Sequence, residues 1–160
     1  AYFAKFKNVW HHGDFVARTS NNGFIVRGRS DATLNPGGVR IGTSEIYQQV
    51  ENIKFITEGL VVGQNYKDDT RIILFVTTKN NEDLNDKKIE LIKNNIRNNC
   101  SPKHVPAVII KAPEIPRTKS GKIVELAVGK IINGEKLNNE ESIANPGSLD
   151  FFKNLPQIEI

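Results

Sequence analysis

The 160-residue sequence contains no methionine, one cysteine and one tryptophan. Without a methionine, Ala1 cannot be an initiator position, and the sequence is expected to begin inside a longer reading frame. A lone Cys100 excludes an intrachain disulfide and a thiolate metal cluster, and the expectation for it is a buried, inert thiol. No apolar run approaches the roughly 20 residues that cross a bilayer, and no basic, apolar leader opens the sequence. A soluble, cytoplasmic protein with no membrane span is expected. The formal charge of +4 comes from 22 basic against 18 acidic side chains. These are scattered and interleaved, which describes a solvated mixed surface rather than a polyanion-binding stripe.

A chain of this length buries one core, perhaps with an appended segment. Its first stretch, Ala1 to Gly28, is rich in aromatics and glycines, and Gly23-Phe-Ile-Val-Arg-Gly28 reads as a short strand with little core behind it. From Asn35-Pro-Gly-Gly38 the pattern becomes regular. That loop precedes a helix in which Ile46, Tyr47, Val50 and Ile53 recur at helical spacing, with Thr43 or Ser44 expected as its cap. Phe55 to Val62 and Arg71 to Thr78 read as strands joined by a turn through Asn65 to Asp69. A helix is expected over about Asn85 to Asn99, with Leu84, Ile89, Ile92 and Ile96 on one face and Ser101-Pro102 as its stop. Val105 to Lys111 reads as a further strand, and Glu125 to Ile132 as a helix stopped by Asn133-Gly134. The order implies an α+β fold, a small sheet with packed helices. Beyond Glu135 the composition is polar, although Leu149, Phe151, Phe152, Leu155 and Ile158 can pin the tail to something.

Two loops can carry chemistry. Ile115-Pro-Arg-Thr-Lys-Ser-Gly-Lys122 follows a strand and places lysines at a turn, where charge can be presented to a ligand. Residue types alone favour the other reading, a surface turn with solvated lysines. Asp31 to Arg40 brings Pro36, Gly37 and Gly38 together between Arg29 and Arg40, whose guanidinium groups suit phosphate or ribose oxygens. A structural turn flanked by surface arginines is the other reading. His11, His12 and His104 lack a Cys or carboxylate at metal-ligand spacing, so no metal site is expected. No nucleophile, base and orienter can be assembled from the sequence.

Taken in order, His12-Gly13-Asp14, Gly28-Arg-Ser-Asp31, Asn35-Pro-Gly-Gly-Val-Arg40 through Glu45-Ile46, and Pro116 through Gly121-Lys122 resemble the last blocks of a known superfamily. It is that of the adenylate-forming acyl-CoA synthetases, luciferases and peptide-synthetase adenylation domains. Arg71 to Phe75, Ser101 to Pro106, and Val124 to Val128 continuing to Asn145-Pro146 and the Phe-rich end are similar to acetoacetyl-CoA synthetases in particular.

The resemblance implies that residues 1–30 end a large amino-terminal domain and approach a hinge. Residues 31–160 would be the mobile carboxy-terminal domain with an extended tail. It implies a ligase that joins acetoacetate to ATP as an acyl-adenylate, releases pyrophosphate, and passes the acyl group to coenzyme A, with Mg2+ on the nucleotide phosphates. The chain alone is expected to be inactive.

Lys122 would be catalytic, meeting carboxylate and α-phosphate oxygens. Asp14 and Arg29 would hold the ribose, and Arg40 the adenylate phosphate. Gly38 would line the pantetheine path, Arg97 would meet a coenzyme A phosphate, and Asp31 would be the hinge. The implied partners are the amino-terminal domain of the same polypeptide, small-molecule substrates, and a protein acetyltransferase or deacetylase acting on Lys122. His12 departs from the family pattern, which commonly has a hydroxyl residue there. Another short-chain acyl-CoA synthetase is the alternative within the class. A basic binding module for nucleic acid is the alternative outside it, but interleaved exposed aromatics and a nucleic-acid fold signature are missing.

Overall fold

The computed structural model describes residues 3, 6–30, 32–137 and 142–158. A hairpin of β1 (Asp14–Arg18) and β2 (Phe24–Arg29) comes first. A separate sheet follows, built from β3 (Ile56–Tyr66), β4 (Asp69–Thr78) and β5 (Val108–Lys111). β4 is central, antiparallel to β3 and parallel to β5. Parallel neighbours need a crossover, and α2 (Asp86–Asn99) supplies it. α1 (Thr43–Glu51), α3 (Glu125–Ile132) and a short α4 (Asp150–Lys153) complete the fold. The α+β class read from the element order is the one observed.

The strands read as nearly continuous apolar runs because the sheet is covered on both faces. Ile72, Leu74 and Val76 of β4 join Val61 and Ile109 against Ile46 and Val50 of α1 and Ile92 and Ile96 of α2. The alternate residues Ile73 and Phe75 join Leu60, Val62 and Ile110 in a second core with Val128 and Ile132 of α3. The tail belongs to that second core: Ile143, Leu149, Phe152 and Ile158 are buried in it. Phe152 meets Phe75 edge-on with ring centres 4.8 Å apart. Neither core contains a residue before Leu34 among those described, in keeping with the thin first stretch read from the sequence.

Local chemistry explains where boundaries differ from expectation. α1 is preceded by Gly42, which has no side chain to cap it, rather than capped by Thr43 or Ser44. Thr43 is instead buried, its hydroxyl 3.5 Å from Glu125 Oε2. The β3–β4 hairpin runs further than expected, closing on Lys67 and Asp68, both with positive φ (47° and 60°). That mirror-image turn matches strand twist. β5 starts only at Val108, because Pro102–His104 forms a 3₁₀ turn whose first carbonyl accepts the Val105 amide. The strand β1 lay outside the sequence reading. α2 does begin after Asn85, whose side chain accepts the Lys88 amide at 3.1 Å.

Candidate functional site

Lys122 is exposed on a loop whose backbone is closed by several bonds. The Thr118 amide donates to the Lys122 carbonyl at 2.8 Å, and the Lys122 amide donates back to Thr118 Oγ1 at 3.1 Å. Gly121, at φ +83°, makes the reversal that an L side chain rarely adopts. Arg117 braces the tip: Nη1 donates to the Gly121 carbonyl and Nη2 to Glu58 Oε1 on β3, each at 2.6 Å. The lysine is therefore free to reach a ligand while its Cα is fixed to the sheet. Sequence reasoning placed Arg117 in the loop but could not see Glu58, 59 residues away.

The β1–β2 register sets Asp14 directly opposite Arg29, so the two residues assigned to the ribose by resemblance stand together. The Arg29 guanidinium lies beside Gly13, and the Ser30 amide and hydroxyl both donate to the Gly13 carbonyl, at 2.8 and 2.9 Å. His12 Nδ1 lies 2.6 Å from Asp14 Oδ2. The departure from the family pattern thus engages one oxygen of the carboxylate that a ribose hydroxyl would use. Asp31, the expected hinge, lies outside the described residues. Beside it, Thr33 Oγ1 donates to the Arg29 and Ser30 carbonyls, each at 3.2 Å.

The glycine loop is a 3₁₀ turn, Pro36–Gly38, between the paired Leu34 and Ile41. Both carboxylate oxygens of Asp69 accept the Gly37 amide, at 2.8 and 3.0 Å. These contacts and the Thr70 amide hold the Asp69 carboxyl below the usual carboxylate range, with a smaller contribution from the Lys103 charge. Lys103 Nζ fills the space that a side chain on Gly37 would need. Gly38, at φ +75°, has nothing within 4 Å of where a Cβ would stand, so its outer face is open to a ligand. Arg40 leaves the loop toward the hairpin, its guanidinium 4.7 Å from the centre of the Phe15 ring, next to Asp14. A cleft of about 270 Å³ runs between Phe15, Val16, Arg40 and Glu45.

Arg97, on the last turn of α2, is exposed and donates to Asn94 Oδ1 at 2.9 Å. The structure does not bring it against Gly38. The cation beside the glycine loop is Lys103, which sequence reasoning missed because only the fold returns the turn after α2 to that loop.

Two of the histidines have carboxylate partners, though none grouped as metal ligands among the described residues, and the cysteine is less buried than expected. His12 meets Asp14, and His104 meets Glu45, with Nε2 3.3 Å from Oε2. Among the described residues no group of three His, Cys, Asp or Glu side chains gathers as metal ligands. Ser101 Oγ also lies 2.8 Å from His104 Nδ1, giving a Ser–His–Glu chain. It ties the turn Pro102–His104 to the first turn of α1. Cys100 is half-buried, its Sγ 3.6 Å from the Glu45 carbonyl, and burial and then the Glu45 charge push its thiol up, away from thiolate.

No helix among the described residues is long and apolar enough to cross a membrane. No family model matches the chain. An acetoacetyl-coenzyme A synthetase of Rhizobium meliloti (strain 1021) is 52% identical over 159 residues, 99% of this chain and 24% of the relative. An acetoacetyl-CoA synthetase of Xenopus tropicalis is 43% identical over 161 residues, again 99% and 24%. The structure of an acetoacetyl-CoA synthetase from Streptomyces lividans superposes with a TM-score of 0.85 at 39% identity, over 95% of this chain and 23% of that one. An anthranilate CoA ligase in complex with anthranoyl-AMP has a TM-score of 0.66 at 22% identity, over 71% of this chain and 22% of that one, a likeness of fold alone. The chain spans about a quarter of the length of the curated relatives it matches. By fold and by sequence the chain matches the carboxy-terminal domain of the acetoacetyl-CoA synthetases, and it shares that fold with other adenylate-forming enzymes.

Proposed function

We propose that this chain is the mobile carboxy-terminal domain, with the last residues of the large domain at its start, of a cytoplasmic ligase. The ligase converts acetoacetate, ATP and coenzyme A into acetoacetyl-CoA, AMP and pyrophosphate. The observation that carries this is the exposure of Lys122 on a braced loop, in a chain 52% identical to an acetoacetyl-coenzyme A synthetase. The exposed apolar residues support a missing neighbour. Phe3, Phe6, Val9, Trp10, Val16, Phe24, Ile25 and Val26 crowd the first stretch, an apolar surface of the kind that marks an interaction site.

In the first half-reaction the acetoacetate carboxylate attacks the α-phosphorus and pyrophosphate leaves. Negative charge gathers on oxygens that the Lys122 ammonium offsets, with the lysine held in position by Arg117 and Thr118. Asp14 and Arg29 hold the ribose, and Arg40 meets the adenylate phosphate. Mg2+ travels with the nucleotide phosphates, and its ligands would come from the large domain. The small domain then turns about Asp31 and exchanges the Lys122 face for the Gly38 loop, whose open outer side admits the pantetheine arm. Coenzyme A sulfur attacks the acyl carbon and AMP leaves, while Arg97 meets a coenzyme A phosphate. The exposed Lys122 is also within reach of a protein acetyltransferase or deacetylase, which would switch its charge off and on.

The test is thioester formation by the full-length polypeptide with acetoacetate, acetate and propionate in parallel. Acetoacetate should give the highest kcat/KM by at least about tenfold, the discrimination that a single well-used pocket contact supplies. Preference for acetate or propionate would move the protein to another short-chain synthetase.

A further inference from the structure

The Lys122 loop is bonded to the chain on both of its sides. Arg117 is bridged to Ile123 on one side, while Thr118 is bridged to Ile143, in the tail, on the other. The Lys119 amide donates to the Ser142 carbonyl at 3.2 Å, and the Ala144 amide to the Arg117 carbonyl at 2.8 Å. Arg117 to Lys119 is therefore held on both sides by isolated bridges, with residues 142–145 as the outer segment.

At the end of that outer segment the Asn145 side chain spans the proline that opens the loop. Its Oδ1 accepts the Arg117 amide at 2.9 Å, and its Nδ2 donates to the Ile115 carbonyl at 3.2 Å. Pro116, between them, has no N–H of its own to fix the segment. A primary amide of this length supplies one acceptor and one donor at the required separation. Asn145 is itself held, since its carbonyl accepts the Ser148 amide at 3.0 Å and hydroxyl at 2.6 Å at the start of a 3₁₀ turn. That turn ends at the buried Leu149, beside Phe152 in the second core. A continuous set of contacts thus runs from the core through Asn145 to Arg117 and on to the carbonyl of Gly121, next to Lys122.

We propose that Asn145 is a positioning residue for Lys122, and that the tail serves the first half-reaction by setting where the lysine stands. This rests on the ligase reading above. It does not make Asn145 a contact of substrate or nucleotide. Because Lys122 leaves the site in the second half-reaction, loss of Asn145 should be felt in one half-reaction only.

The experiment uses the full-length polypeptide with Asn145→Ala, Asn145→Asp and, as the control, Lys122→Ala. Acetoacetate-dependent exchange of pyrophosphate into ATP is measured beside thioester formation from supplied acyl-adenylate. Misplacing a catalytic group by about 1 Å can cost up to about a hundredfold. Asn145→Ala should lower kcat for exchange by about tenfold to a hundredfold, leave KM for ATP within about twofold, and leave the second half-reaction within about twofold. Asn145→Asp keeps the acceptor for the Arg117 amide and loses only the donor, so it should fall between wild type and Asn145→Ala. Should the alanine variant not fold, the isosteric aspartate variant decides. Equal loss in both half-reactions, or no loss in exchange, with Lys122→Ala still separating the two, would overturn the positioning role alone. Failure of Lys122→Ala to separate them would overturn the underlying ligase reading as well.

Discussion

Asp69, at the tip of the β3–β4 hairpin, holds the Gly37 amide with both carboxylate oxygens, at 2.8 and 3.0 Å. The hairpin extends to this point because Lys67 and Asp68 turn through left-handed conformations. The glycine loop is thus fixed from a part of the chain 32 residues away. Gly38, one residue further on, keeps its open face while its neighbour is clamped.

The clamp has a pH dependence with a definite sign. The Asp69 carboxyl lies below its ordinary value, chiefly through the Gly37 amide and then the Thr70 amide. The stabilisation it gives the loop is present above the ordinary carboxylate range and is lost as pH falls through the lowered value. In an NMR titration the Gly37 amide should shift with a midpoint below 3.8. Asp69→Asn should abolish that titration and, in the full-length protein, impair thioester formation more than adenylate formation. A midpoint at or above the ordinary value would remove the clamp from the account.

Tyr47 joins α1 to β3 by accepting the Val61 amide on its phenol oxygen at 3.0 Å. Burial, and then the nearby Glu125, raise its phenol well above the usual value of 10.0. With the folded value raised, its contribution is complete below the unfolded value and is lost as pH rises past it. Absorbance of tyrosinate should show Tyr47 ionising together with unfolding. Tyr47→Phe leaves the Val61 amide without its acceptor and should cost about 1–3 kcal/mol in urea denaturation. A loss near zero would mean that water replaces the phenol.

His12 occupies Asp14 Oδ2, one of the acceptors assigned to the ribose. On the proposed ligase reading, a bound nucleotide would displace or share that contact. His12→Ser should lower KM for ATP by about twofold to tenfold, the worth of one hydrogen bond, without changing kcat. Asp14→Ala should raise the same KM. Opposite signs distinguish a competing histidine from one that orients the carboxylate, for which both substitutions would raise KM.

Much of the fold was legible because burial on both faces of the sheet wrote apolar runs into β3 and β4. The spacing of Ile89, Ile92 and Ile96 likewise fixed α2, and Asn133-Gly134 fixed the end of α3. β1 was not legible because Val16 is exposed and none of its five residues is buried in a core. Of the site, Lys122 was visible as part of a local motif. Glu58, Asp69, Lys103 and Asn145 were not, since each acts on a loop that only the folded chain brings near. Thr43 misled as a cap because its hydroxyl faces Glu125 on α3 rather than the first amides of its own helix.

On the proposed reading, Lys122 acts in adenylate formation and is absent from the site during thioester formation. The direct measurement is the ratio of the two half-reaction rates in full-length Lys122→Ala with unchanged melting behaviour. Exchange of pyrophosphate into ATP should fall by about a hundredfold or more, the scale set by removing one charge-stabilising group. Thioester formation from supplied acyl-adenylate should stay within about threefold of wild type. Equal loss in both half-reactions would contradict it, leaving Lys122 as a structural residue of its loop.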